Sequence, residues 1–321
     1  MTTYIPGQGL PTAIPAGSPQ DPPSPQAVSE SVGHRGTNTP PTPSTENPRE
    51  ARPHRRRRRV DADALRRIAE AMPERDRDVL RRVDEHRYLT THQIQAFVFT
   101  AHGSNSSAAR TTRYVLSRMD RLGLIRALPR RVGGVRAGSA ARIWQLAPAG
   151  ARLLRDEGQT YRSHEPSLRF LRHCLAVADV HLAVREIGTV ADDIEQVDVA
   201  TEPASWRHYV GSGGEQRILQ PDLASVIRTK EFVDRWFLEV DLGTESLPTI
   251  LKQCGQYEAY RATGIEQDTH GAFPIVVWIF TDPARAEKVK SSLLRSPRLT
   301  PELYRLTTFS DFSQRATELL Q

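Results

Sequence analysis

Apolar residues recur along this chain in two rhythms, every three to four positions and every second position, and the changes of rhythm mark the predicted elements. From Arg75 to His86, Val79, Leu80 and Val83 share one helical face. Thr90 and Gln93 have the spacing of a capping box and open a second helix carrying Ile94, Phe97 and Val98. Ser104 or Asn105 can cap a third helix that runs to about Arg121, where Gly123 stops it. Winding that third helix at about 100° per residue puts Ala108, Thr112, Val115, Met119 and Leu122 on one side. Ser106, Arg110, Arg113, Tyr114, Ser117 and Arg121 fall on the other. Leu124 to Leu128 and Ile143 to Leu146 read as a β-hairpin around the loop RRVGGVRAGSAAR. Beyond it, Leu168, Leu171, Leu175, Ala178 and Leu182 predict an amphipathic helix over Pro166 to Ile187. A strand follows at Ile194 to Thr201, then a polar segment with Trp206 and Tyr209, then a flexible loop at Gly211 to Gly214. Two runs of strand character, Arg217 to Arg228 and Arg235 to Leu242, flank a polar turn. Ser246 as cap and Pro248 in the first turn start a helix that reaches Tyr260. Phe273 to Phe280 is continuously apolar, as in a buried central strand. A basic amphipathic helix (Pro283 to Leu294), an edge strand (Leu303 to Thr308) and a closing helix (Phe309 to Leu320) complete the prediction.

The first three helices and the hairpin make a trihelical unit with a wing. An outer helix face of Arg, Ser and Tyr reads as a recognition helix, and Arg130, Arg131, Arg136 and Arg142 gather near the wing tip. The stretches YVLSRMDRLGLI and WQLAPAGARLL resemble winged helix-turn-helix domains. Arg110, Arg113, Tyr114, Ser117, Arg121, Arg130, Arg131 and Arg136 are the candidate contacts to double-stranded DNA, through phosphates or guanine edges. The alternative is a solvated basic helix and loop in a protein-binding winged helix.

In the later hairpin, a turn centred near Lys230 and Glu231 makes position i face position j when i + j is 461. Asp222 then lies opposite Glu239, their Cβ atoms roughly 5 Å apart, and Asp241 points to the same face as Glu239. Three carboxylates on one patch repel one another, and a divalent cation turns that repulsion into binding. Mg²⁺ suits one or two carboxylates completed by water and phosphate oxygens, and would activate a water against a phosphodiester. The alternative is a solvated hairpin face whose acids never meet. On the following helix Leu247, Ile250, Leu251, Cys254 and Tyr257 form the inner face, Lys252 points almost opposite, and Gln253 is turned nearer the inside. His173 and His181 are eight residues apart, not the three or four of a zinc pair, which favours packing or surface roles.

Pro221-Asp222 followed by Glu239-Val240-Asp241 resembles the PD-(D/E)XK nuclease superfamily. More narrowly, FLEVDLGTES with the Lys- and Tyr-bearing helix after it, together with RHCLAVADVHLAV, resembles the replication-relaxation family of plasmids and integrative elements, proteins similar to one class of mobilisation relaxases. The resemblance covers about residues 75 to 310. It implies catalytic roles for Asp222, Glu239, Asp241 and either Lys252 or Gln253, with Asp222, Glu239 and Asp241 as Mg²⁺ ligands. Asp241 stands where the superfamily usually has Lys, and the role of that Lys passes to Lys252 or Gln253. Gln256 to Tyr260 also matches a Q-x-x-x-Y pattern of some of these nucleases.

Composition adds a partner class. The 321 residues carry a net charge of +6, which leans towards a polyanion. Two cysteines, Cys174 and Cys254, exclude a disulfide framework and a Cys-rich zinc site and suit a reducing cytoplasm. No apolar run approaches the roughly 18 residues of a membrane span, and MTTYIPGQGL lacks the features of a secretory signal. Residues 1 to about 53 are rich in Pro, Ser, Thr and Gly and are expected to be disordered. His54 to Arg59 adds five consecutive arginines, a flexible phosphate anchor or a solvated charge run.

The expected architecture is α/β plus all-α: a disordered basic arm (1–73), a winged helix-turn-helix (74–158) and a restriction-endonuclease-like α/β domain with a mixed central sheet (166–321). The expected function is DNA binding, with metal-dependent nicking, in replication, relaxation or conjugative transfer of a mobile element, alongside other replication or transfer proteins of that element. Three other readings stand beside it: a non-catalytic DNA-binding factor on a decayed nuclease scaffold, a relaxase using Tyr257 or Tyr260 as nucleophile, and a protein-interaction adaptor.

Overall fold

The computed structural model describes residues 60–101, 104–129, 142–155, 161, 165–190 and 193–315, all within the unit Arg56–Gln321. The Pro-rich segment, the arginine run and the expected wing tip with Arg130, Arg131 and Arg136 lie outside the described residues.

The first helix, α1 (Ala62–Ala71), falls inside the stretch assigned to the arm. Asp61 caps it by accepting from Ala64 N at 2.7 Å. Its buried Leu65, with Val60 and Ile68, packs on the first core. A stripe that short between arginines is easily read as solvated. Then follow α2 (Glu74–His86), β1 (Leu89–Thr90), α3 (Thr91–Val98), α4 (Asn105–Arg121), β2 (Ile125–Ala127), β3 (Ile143–Leu146) and α5 (Pro148–Leu154). The three strands form an antiparallel sheet in the order β1-β3-β2. The capping box is present in both directions, Gln93 N to Thr90 Oγ1 at 3.1 Å and Thr90 N to Gln93 Oε1 at 2.9 Å. Ser104 caps α4. Ala108, Thr112, Val115 and Met119 are buried as their spacing requires. Leu122 is 38% exposed, because it is the C-cap and the helical winding ends there. Gly123 (φ 72°) then turns the chain. Leu124 N bonds Met119 O and Gly123 N bonds Asp120 O, which together close a Schellman motif. A Cβ on Gly150 would lie 2.0 Å from Leu124 O, so only glycine lets α5 lie against this turn.

The long helix α6 (Leu168–Val190) comes next, then β4 (Ile194–Thr201), β5 (Arg207–Val210), β6 (Gln216–Leu219), β7 (Leu223–Thr229) and β8 (Val233–Asp241). After them come α7 (Leu247–Arg261), α8 (Ile265–His270), β9 (Ile275–Phe280), α9 (Pro283–Leu294), a 3₁₀ turn at Pro301–Leu303, β10 (Tyr304–Thr308) and α10 (Phe309–Arg315). The fold is mixed α/β, with ten α-helices among the described residues. The five-stranded sheet runs β10-β9-β8-β7-β4, parallel across β10-β9-β8 and antiparallel across β8-β7-β4. Ile250, Cys254 and Tyr257 of α7 and Val289 and Leu293 of α9 pack on one face with Phe237 and Val276. Val180, Val184 and Ile187 of α6 and Phe312 of α10 pack on the other with Trp236, Leu238 and Ile279.

Three expectations change here. The single run from Arg217 to Arg228 is two strands, because Pro221 has no N–H for the ladder and Ser205 Oγ pins the break by donating to Pro221 O at 2.7 Å. The polar segment and glycine loop form a small hairpin, β5–β6, closed by Gly211 N to Glu215 O at 2.8 Å. The helix α6 is not one-sided. Ala178 belongs to the first core, Val180 and Val184 to the sheet core, and Leu171 and Cys174 to a third cluster with Tyr88. A helix packed on several sides spreads its apolar residues beyond a single face, and between Leu171 and Ile187 only a stripe of Arg172, Asp179 and Glu186 stays exposed.

The polar residues left on α6 find partners in the helical unit. Gln93 donates to Asp179 Oδ1 at 2.6 Å and to Leu175 O at 2.8 Å. His181 Nδ1 faces His86 Nε2 at 3.1 Å, and both rings lie against Phe97. Burial, reinforced by Arg82, lowers His86 to about 3. Burial, then His86 and the Arg82 and Arg185 charges, lower His181 to about 2. Both rings are therefore neutral at pH 7.

Two substitutions separate capping from packing. Thr90→Ala removes the capping box and should cost about 1 kcal/mol. Ile187→Ala, at a site 3% exposed, should cost about 2–5 kcal/mol. Urea unfolding should show both as lower midpoints with unchanged slope. Equal losses would contradict this division.

Candidate functional site: two carboxylates at a strand break

The register of β7 and β8 runs from Leu223↔Leu238 to Arg228↔Val233. Extended by one residue, it puts Asp222 opposite Glu239, as the sequence predicts. Asp222 sits just outside the ladder, at the break that Pro221 makes. Its carboxylate does not simply stand on the sheet face. Oδ2 accepts from Val240 N at 2.8 Å, replacing a backbone partner, and Oδ1 meets His173 Nε2 of α6 at 2.8 Å. Burial disfavours the charged His173 ring, but the hydrogen bond and the charge of Asp222 outweigh it and hold the ring above the usual histidine range.

Glu239 is 4% exposed. Tyr257 OH donates to Oε1 at 2.5 Å, and the Gln253 side chain lies near enough to favour the charged carboxylate. Burial, then the nearby charge of Asp222, pushes Glu239 well above the ordinary carboxylate range, while Tyr257 and Gln253 pull the other way. Tyr257 is raised too, by burial first and then by Glu239, so the phenol stays a donor. Among the described residues no Lys or Arg forms an ion pair with Glu239.

The third acid is differently placed. Asp241 is 2% exposed. Its Oδ2 is held by Arg285 of α9, and its Oδ1 accepts from Gly243 N at 3.0 Å. Arg285 also donates to Glu245 O at 2.6 Å. Asp222, Glu239 and Asp241 do not form a set of ligand atoms within 4.8 Å of one another, a condition that Glu85, His86 and His181 do meet among the described residues. The expected three-acid patch is thus a pair, because an arginine 44 residues downstream takes the third. Strand alternation alone cannot reveal that partner.

On α7, Ser246 caps the helix and Ile250, Cys254 and Tyr257 face the sheet. This winding leaves Lys252 exposed and brings Gln253 to Glu239. Of the two candidates for the missing Lys, Gln253 lies near Glu239 and Lys252 faces solvent. Gln256 is exposed, and Tyr260 OH donates instead to Glu266 at 2.9 Å, so the Q-x-x-x-Y pair does not converge on Asp222 and Glu239. Tyr257 and Tyr260 are 0% and 2% exposed, and burial raises both. Neither is placed as a nucleophile. Burial also pushes Cys174 up to about 11 and Cys254 up to about 12, so both are inert thiols.

His173 is the site residue that sequence reasoning assigned to packing or surface. Its partner is 49 positions away, and its sequence neighbours offer no matching ligand. A cleft of about 250 Å³, lined by Arg169, Phe170, His173, Asp241, Thr244 and Glu245, opens beside it. A larger one of about 730 Å³ lies between α2, the start of α6 and the end of β4, with Arg87, Tyr88, Phe170 and Glu202 on its walls.

On α4, Arg110, Arg113, Tyr114, Ser117 and Arg121 are all exposed, and Tyr114 is 63% so. Arg118 turns inward to pair with buried Asp76, which keeps the face in register.

The raised Glu239 makes stability depend on pH. A carboxyl raised in the folded state contributes stability that is full below its unfolded value and is lost as pH rises through the folded value. Glu239→Gln mimics the protonated acid. In chelator it should melt close to wild type in acid and above it from neutral pH upward. A variant less stable than wild type at pH 8 would contradict the burial argument.

A family model described as replication-relaxation matches residues 80–276. That span takes in α3, α4, α6, Asp222, His173, Glu239 and Tyr257. Neither the curated proteins nor the solved structures offer a match. No helix among the described residues is long and apolar enough to cross a membrane. With well over half of its length matched, this chain belongs to the replication-relaxation family.

Proposed function

We propose that the protein binds the double-stranded DNA of a mobile element through a winged helix and cleaves one strand at a metal-dependent site in the sheet, serving replication, relaxation or transfer of that element in the cytoplasm. The observation that carries the reading is Glu239, a buried carboxylate beside Asp222, without an ion-pair partner among the described residues. Two such acids at the end of adjacent strands are destabilising as a bare pair and favourable around a cation.

The element order supports both halves. Helix, strand, helix, helix and a two-strand wing with sheet order β1-β3-β2 is the order of a winged helix-turn-helix. Its third helix presents Arg110, Arg113, Tyr114, Ser117 and Arg121 outward. A mixed sheet carrying Asp222 and Glu239 on an antiparallel pair, with α7 packed beneath, fits a restriction-endonuclease-like core.

The donor set suits Mg²⁺, which needs only one or two carboxylates and completes its shell with water and phosphate oxygens. Asp222 and Glu239 would hold it; Asp241, paired with Arg285, would not. When bound, Mg²⁺ would polarise the scissile phosphate and lower the pKa of a water. The chain supplies positioning. Tyr257 fixes Glu239, with Gln253 beside it, while Val240 N and His173 fix Asp222. Arg285 neutralises the acid that stands at the usual Lys position.

A second reading has its own observation. Both oxygens of Asp222 already have protein partners, and this favours a DNA-binding factor whose sheet has lost the chemistry.

Supercoiled plasmid carrying the element's intergenic DNA separates the two. Nicking should require Mg²⁺ or Mn²⁺ and disappear in Asp222→Ala and Glu239→Ala, with DNA affinity retained. Binding without cleavage in either metal would overturn the nuclease reading and leave the factor. For the winged helix, Arg110→Ala and Arg113→Ala should each flatten the slope of log affinity against log salt, by about 0.9 for every phosphate left unneutralised. An unchanged slope in fluorescence anisotropy would remove α4 from the interface.

A further inference from the structure

We propose that Glu85, His86 and His181 form a second metal site, for an imidazole-preferring transition cation such as Zn²⁺, which fastens α2 to α6. The site is independent of the nuclease reading: it lies where the helical unit meets the long helix and takes no ligand from Asp222 or Glu239.

Geometry carries the assignment. His86 Nε2 and His181 Nδ1 face each other at 3.1 Å. With a carboxylate oxygen of Glu85 they make three ligand atoms mutually within 4.8 Å. Zinc bonds of about 2.0–2.2 Å in a tetrahedron set ligand atoms about 3.3 Å apart. The imidazole pair already has nearly that separation, and a rotation of Glu85 brings in the third ligand. The rings are pre-set. His86 stacks on Phe97 with centroids 5.1 Å apart, and His181 meets the same ring edge-on at 5.0 Å. His86 and His181 are 5% and 2% exposed. Binding therefore freezes little that is not already ordered.

The surroundings set the metal's class. Glu85 and His86 are the last two residues of α2, where the carbonyl ends of a helix favour a cation. A cavity of about 30 Å³, room for one water, touches both and is also lined by His173 and Asp222. Arg82 and Arg185 oppose a cation; each lies 5.5 Å from the Phe97 centroid. Arg82 bonds Glu85 Oε2 at 2.8 Å, so Oε1 can turn to the metal while that bond orients the carboxylate from outside. With a single carboxylate and two imidazoles, the set selects Zn²⁺, Co²⁺ or Ni²⁺ over Mg²⁺. Coordination needs no net proton transfer. The proton on whichever facing nitrogen carries it moves to the other nitrogen of the same ring.

The test uses the full chain stripped of metal. Co²⁺ should give the visible bands of a tetrahedral site at one equivalent, and Zn²⁺ should displace it. Saturating Zn²⁺ should raise Tm by about 5 °C, and Mg²⁺ should not compete. In His86→Gln and His181→Gln the bands and the Tm rise should vanish, with far-UV circular dichroism confirming the fold. If either variant fails to fold, Glu85→Gln keeps the test: its carboxylate is partly exposed, and it should weaken Zn²⁺ at least tenfold. No cobalt spectrum in wild type, or an unaltered one in the variants, would overturn the site and leave a plain histidine–histidine hydrogen bond.

Discussion

The long helix α6 meets a protein core on more than one side and between Leu171 and Ile187 leaves only a narrow stripe, Arg172, Asp179 and Glu186, to water. It shares Ala178 with the helical unit and Val180, Val184 and Ile187 with the five-stranded sheet. Three of its polar side chains find partners in the rest of the protein. Asp179 meets Gln93, His181 meets His86, and His173 meets Asp222. Those three pairings tie the α4-bearing unit, through one rigid element, to the strand break where the carboxylates lie.

The break itself has a small cause. Pro221 cannot donate to the ladder, so the strand interrupts and Asp222 takes up the next donor, Val240 N, with its side chain. That places one carboxylate at the rim of the sheet, with a cleft beside His173, and leaves its neighbour Glu239 beneath α7. The two acids differ accordingly. Asp222 is partly exposed and meets an imidazole and a backbone N–H. Glu239 is dry, raised, and held by a phenol with an amide nearby. Such an unequal pair is what a cation would stabilise most.

How much of this could be read from residues alone follows from the range of each interaction. The third helix, its Ser104 cap and its exposed arginine face were legible because helical winding is local. The opposition of Asp222 and Glu239 was legible because a tight turn fixes register. The rotation of α7 turned Gln253 nearer the inside than Lys252 but left both open as the substitute for the usual Lys. Arg285 on Asp241, His173 on Asp222 and His86 on His181 were not legible, since their partners lie 44, 49 and 95 residues apart. The break at Pro221 was written in the sequence but was overridden by the strong strand character on both sides. The helix α1 was hidden by the arginines around its single buried leucine.

The most direct test of the central claim, that Asp222 and Glu239 together bind a divalent cation, is anomalous scattering from crystals of the full chain grown with Mn²⁺. The account predicts one peak within coordination distance of both carboxylates, absent from crystals of Glu239→Gln. A map without that peak, in which His173 and Val240 N still hold Asp222 and Tyr257 still holds Glu239, would contradict it.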